Sequence, residues 1–196
     1  IEYKQTAKDK RESKQPELRH QAETDSPCGL RIHEHILDKE HRHGTTSLLG
    51  GIKPSCEILA KLCDDEALKK LDTSRLLFLD TETTGLSGGA GTLAFLIGLA
   101  WYEDGCLKLE QLMLGNPSQE HQQLEYLNKR INEASGLVTY NGRRFDWPLL
   151  CNRFVLNRIA PPSIEFHVDL LKPARALYKK RLGSVRLVNI ETEVLG

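Results

Sequence analysis

An uninterrupted apolar run ending in two carboxylates and a turn constrains this chain more than any other feature. Residues 75–86 read RLLFLDTETTGL. Leu76, Leu77, Phe78 and Leu79 have the pattern of a strand buried on both faces in the middle of a sheet, and Asp80 closes it. Because strand side chains alternate, Asp80 and Glu82 are expected on the same side, about 7 Å apart along the chain. Two anionic oxygen donors that converge in this way repel each other unless they face solvent or hold a hard cation such as Mg²⁺ or Mn²⁺. An isolated D-x-E pair is ordinarily a solvated strand end. Here the apolar strand before it, the T-T-G turn at residues 83–85 and a second acidic motif, NGRRFD at residues 141–146, favour a metal site.

The 196 residues suffice for one domain with a proper core plus a tail. No apolar run reaches the length of a membrane span, and the first eighteen residues lack the apolar core of a signal peptide. The chain starts without Met, as a fragment or a processed product would. Five scattered cysteines without a C-x-x-C pair imply reduced thiols in a cytoplasmic setting, none of them a ligand. Residues 1–27 are rich in Lys, Glu, Gln and Ser, have few large apolar side chains, and read as a flexible tail. Residues 28–53 read as a leading hairpin or extended segment. Its two H-x-H pairs, His33/His35 and His41/His43, suggest zinc, but no Cys or His elsewhere has the spacing to complete such a site.

The remainder, residues 54–196, alternates periodic segments. A helix is expected from Pro54 to about Leu71, then a strand over 76–80. A hairpin over 93–101 and 107–114 follows, turned at Glu103, Asp104 and Gly105. Helix, strand 137–140, helix 145–157, strand 166–171, a basic helix with Pro173 in its first turn, and a final helical piece complete the order. Three meandering strands followed by alternating helices and strands predict an α/β fold, a mixed sheet with helices on both faces. Ligands of such sheets gather at the carboxyl ends of the strands, where Asp80 stands.

The run FLDTETTGL resembles the first motif of the DEDD 3′-5′ exonucleases of the ribonuclease H-like superfamily, and VTYNGRRFD, residues 138–146, resembles their second. GLSGGAGTLAFLIG is closer still to the bacterial YprB-type branch. The resemblance implies a ribonuclease H-like mixed sheet, with an antiparallel meander plus parallel strands, and a two-metal site for Mg²⁺ or Mn²⁺. In that site Asp80 bridges the metals, Glu82 holds one and Asp146 is the third carboxylate. It implies that Thr83, Gly85 and Leu86 contact a terminal nucleotide, and that Asn141 and Phe145 orient the scissile end and stack on it. It also implies a fourth Asp, preceded by His or Tyr, on a late helix. The chain to Gly196 does not supply that helix, so the fragment is expected to be truncated there and slow. Asp169 is expected to cap the helix of Pro173 rather than to serve as the fourth carboxylate.

Net charge is zero, yet between Arg143 and Arg186 ten basic residues stand against three acidic ones. Arg143, Arg144, Lys172, Arg175 and Lys179 are candidates for a nucleic-acid path, the last three at i, i+3 and i+7 on one helix. The expected function is a metal-dependent 3′-5′ exonuclease on DNA or RNA. The alternative is a catalytically silent nucleic-acid-binding module with the same fold. A HAD-type phosphohydrolase is disfavoured because it needs D-x-D, and a P-loop NTPase because no G-K-[ST] loop precedes the strand.

Overall fold

The computed structural model describes residues 21–25, 30–85 and 91–196, the first five as backbone. Leu86 and the glycine loop 87–90 therefore lie outside the described residues, as do residues 1–20, 26 and 27 of the segment read as a tail. Within that segment the structure differs from the sequence expectation. Gln21–Asp25 forms strand β1, paired antiparallel with β2, Arg31–Leu37. Backbone pairing along the edge of β2 orders these residues without requiring an apolar face of their own. A short hairpin, β3 (Arg42–His43) and β4 (Thr46–Ser47), follows.

The main sheet has seven strands in the order β1-β2-β7-β6-β5-β8-β9. Strands β5 (Leu76–Thr83), β6 (Ala94–Glu103) and β7 (Cys106–Met113) form the expected meander, which joins β2 through β7. On the other side of β5, strands β8 (Gly136–Thr139) and β9 (His167–Asp169) run parallel to it. The sheet is therefore mixed, with the acidic strand at the seam between its antiparallel and parallel halves.

Each face of β5 feeds a separate core. Leu77 and Leu79 pack with Leu124, Leu127 and Ile131 of α2 (Glu120–Glu133) and with Leu149, Leu150 and Phe154 of α3 (Asp146–Leu156). Leu76 and Phe78 pack on the opposite face with Ala60 and Cys63 of α1 (Cys56–Cys63), and with Leu68, Val138 and Val168. Helix α4 (Leu171–Leu182) lies against α1 on that side. A run of four apolar residues is what a strand covered on both faces requires.

Helix α1 is shorter than its apolar periodicity predicts. It ends at Cys63 because Asp64 takes a left-handed conformation, φ 49°, and Asp65 then caps a separate 3-10 turn, Glu66–Lys70, by accepting from the Ala67 N–H. The two consecutive aspartates favour local capping over helix continuation, while Leu68 and Leu71 remain buried as the periodicity implies. Strand β5 is longer than expected, reaching Thr83, with a register shift between Glu82 and Thr83. Strand β9 is shorter, because Leu171 already begins α4.

A candidate acidic site at the end of the central strand

Strand β5 delivers Asp80 to its carboxyl-terminal half, opposite Gly98 of β6, and both Asp80 and Glu82 reach solvent. Alternation sets Thr81 and Thr83 on the other face, the one that carries Leu77 and Leu79. There the Thr81 hydroxyl donates to Asp146 Oδ1 at 2.5 Å. Asp146 is the first residue of α3, and its carboxylate sits on the helix's positive end.

The turn that aims Asp146 is held from below. Asn141 adopts a left-handed conformation, φ 67°, which Asn tolerates better than most residues. Gly142 has no room for a side chain, since a Cβ there would come within 2.7 Å of Thr139 Oγ1. Asp169 accepts the N–H groups of Asn141 at 2.7 Å and of Arg143 at 3.2 Å, and also that of Leu171 at 3.0 Å. Asp169 therefore accepts the N–H of the first residue of α4, whose N-cap position is Leu170 rather than the expected Asp169, and also fastens the turn before Asp146. His167 Nε2 meets Thr139 Oγ1 at 2.9 Å beneath this turn. Burial, and secondarily the Arg143 guanidinium, lower its pKa to about 4. Behind α3, Arg153 forms a buried two-pronged pair with Glu120, both contacts at 2.6 Å, which locks α3 to α2.

The Asp80 carboxyl is pushed above the ordinary carboxylate range, first by partial desolvation, then by the negative charges of Asp146 and Glu82. Asp80 is thus in electrostatic reach of both other acids, with Asp146 acting on it more strongly than Glu82 does. Among the described residues, however, no group of three or more His, Cys, Asp or Glu side chains is arranged to hold a metal ion.

Thr83, Gly85, Arg144 and Phe145 are brought together with Asp146 along a groove of about 640 Å³. Phe145 is 62% exposed there, an unusual position for a large aromatic ring. Thr81, Thr92 and Asn152 line the same groove. Thr81 and Asn152 lack any distinguishing local pattern, and Thr92 follows the glycine loop. Asn141, Arg143, Arg144, Lys172 and Arg175 line a second cleft of about 480 Å³, so Arg144 belongs to both. Lys179 belongs to neither of these clefts; its ammonium donates to the Gly183 carbonyl at the end of α4.

A family model for the RNase H superfamily matches residues 77–196, more than half of the chain. The chain belongs to the RNase H superfamily. The match begins inside β5, three residues before Asp80, and contains the meander, the parallel strands and every helix from α2 onward. Strands β1 to β4 and helix α1 precede it. The chain is also 37% identical over 180 residues to the uncharacterized protein YprB of Bacillus subtilis strain 168; the alignment covers 88% of this chain and 42% of YprB. The RNase H superfamily fold is a nuclease-like one, and its members generally use divalent metals. Among the described residues no helix is long and apolar enough to cross a membrane.

Proposed function

We propose that this RNase H superfamily domain is a divalent-metal-dependent nuclease, a 3′-5′ exonuclease that hydrolyses the phosphodiester bonds of DNA or RNA. One observation carries the reading: at the end of the central strand, Asp80 is made harder to ionise first by partial desolvation and then by the charges of Asp146 and Glu82. Mutual repulsion among hard oxygen donors is relieved by a cation, so the donor set fits Mg²⁺ or Mn²⁺ in its chemistry. Asp80, Glu82 and Asp146 would hold the metal. A pair of such ions would supply an activated water and neutralise the leaving oxygen.

The protein's own groups set the substrate. Thr81 holds the Asp146 carboxylate at the wall of the groove. The exposed ring of Phe145 offers a platform on which a terminal base stacks, and Arg144 beside it offers a cation to the adjoining phosphate. Gly85, without a side chain, lets the backbone approach the sugar. Thr83, whose hydroxyl donates to the Gly85 carbonyl at 2.9 Å, fixes that turn.

A second reading, a silent nucleic-acid-binding module, draws support from the engagement of Asp146 with Thr81 rather than with Asp80 and Glu82. A 5′-labelled strand incubated with Mn²⁺ separates the two. The nuclease reading expects a ladder of products shortened from the 3′ end, abolished by Asp80→Asn. Binding without shortening, in the domain and in longer forms of the protein alike, favours the silent module.

A further inference from the structure

The second cleft lies between the turn before Asp146, the start of α4, and a wall made by Cys63, Asp64, Asp65 and Leu68. That wall precedes the region matched to the superfamily, while the rest of the lining lies within it. Four cations line it: Arg143, Arg144, Lys172 and Arg175. Its acids are largely committed elsewhere. Asp169 is engaged by three backbone N–H groups, and Asp65 caps the turn that follows it. Among the described residues neither Arg144 nor Arg175 has a carboxylate in ion-pair range. Among the described residues, the one ion pair made by a cation of the cleft is Lys172 with Asp64, whose carboxylate lies 3.6 Å from the ammonium at the rim, with its side chain 93% exposed.

We propose that this cleft is a phosphate-binding site, and that the Lys172–Asp64 pair is a competitor that an incoming phosphate displaces. The ligand class is a nucleotide phosphate, supplied by a free nucleotide or by a phosphodiester of a bound strand. Guanidinium groups suit it because their forked donors match phosphate oxygens. An exposed ion pair is weak and readily exchanged for a phosphate oxyanion. Through Arg144 the cleft adjoins the groove of Asp146, so a strand seated in that groove would extend into it. The proposal shares Arg144 with the nuclease reading but requires no metal and no cleavage.

The test is binding in EDTA, where no divalent metal on Asp80, Glu82 or Asp146 can contribute. Inorganic phosphate, adenosine 5′-monophosphate and a short fluorescent single strand are titrated into the full chain and two variants. Arg175→Ala should weaken binding about tenfold, the loss of one charge-assisted contact. Asp64→Asn should tighten it about threefold, because the competing charge is gone while Asn still accepts the left-handed backbone at that position. Circular dichroism confirms that each variant folds. If all three probes show these opposite shifts, the cleft takes free phosphates and nucleotides. If the strand alone shows them, the source is a strand phosphodiester. The proposal is overturned if neither change moves any probe, or if both move binding in the same direction.

Discussion

Thr81 and Asp146, sixty-five positions apart, meet through a single hydrogen bond from the threonine hydroxyl to Asp146 Oδ1. That contact ties the start of α3 to the central strand, and fixes one acid of the candidate site on the face opposite Asp80 and Glu82. A hydrogen bond to a charged group contributes about 1.5–3 kcal/mol when buried, less where water competes. Thr81→Val, which keeps the shape and removes the donor, should lower stability by about 1 kcal/mol in urea unfolding. An unchanged midpoint would show that the bond contributes nothing.

Asp80→Asn should stabilise the domain while disabling it. The folded carboxyl of Asp80 titrates above its unfolded value, so its ionised form opposes folding. That cost is absent below the unfolded pKa and grows as pH rises through the folded one. Melting temperatures at pH 7 should therefore favour the Asn variant, and the difference should close toward pH 3.5. A variant that melts lower at pH 7 would contradict the electrostatic account.

His167 supplies a pH dependence of the opposite sign. Buried between Thr139, Arg143 and Asp169, its pKa is lowered to about 4, chiefly by desolvation, then by Arg143, with Asp169 opposing. Neutral His167 stabilises the fold fully above about pH 6.5, and the contribution is lost as pH falls toward 4, reaching up to about 3 kcal/mol. Urea unfolding at pH 7 and pH 4.5 should show this loss, and His167→Gln should flatten it. An equally steep loss in the variant would assign the pH dependence to other groups.

The Glu120–Arg153 pair is buried at both partners, 6% and 8% exposed, with Asn157 donating to the same carboxylate at 2.7 Å. Removing one partner strands the other charge, at a cost of about 3 kcal/mol or more. Arg153→Met should fall by that amount, and the double change with Glu120→Leu should recover much of it. A double variant no better than the single would argue that the pair is not the source of the loss.

These residues also mark where the sequence is legible. Leu76 to Leu79 announce a strand buried on both faces, and Asn141-Gly142 announce a turn, because each signal is local and chemically specific. Asp80, Glu82 and Asp146 are recognisable because their motifs sit at strand and helix ends. The partner of Thr81 is not, since it lies sixty-five positions away. Arg153 counts as one more cation in a basic stretch until the fold buries it against Glu120. Lys179 shares a helical spacing with Lys172 and Arg175, yet its long side chain turns back to cap its own helix at Gly183. Strand β1 is hidden for a different reason: its order comes from backbone pairing with β2, which leaves no hydrophobic pattern to read.

Calorimetric titration of Mn²⁺ into the chain and into Asp80→Asn tests the central claim most directly, because it reads the acidic site without requiring turnover. The account predicts weak binding to the native chain, reduced at least about tenfold in the variant by loss of a charged ligand. Binding of equal strength in both proteins, or none to the native chain, would contradict a metal site built on Asp80, Glu82 and Asp146.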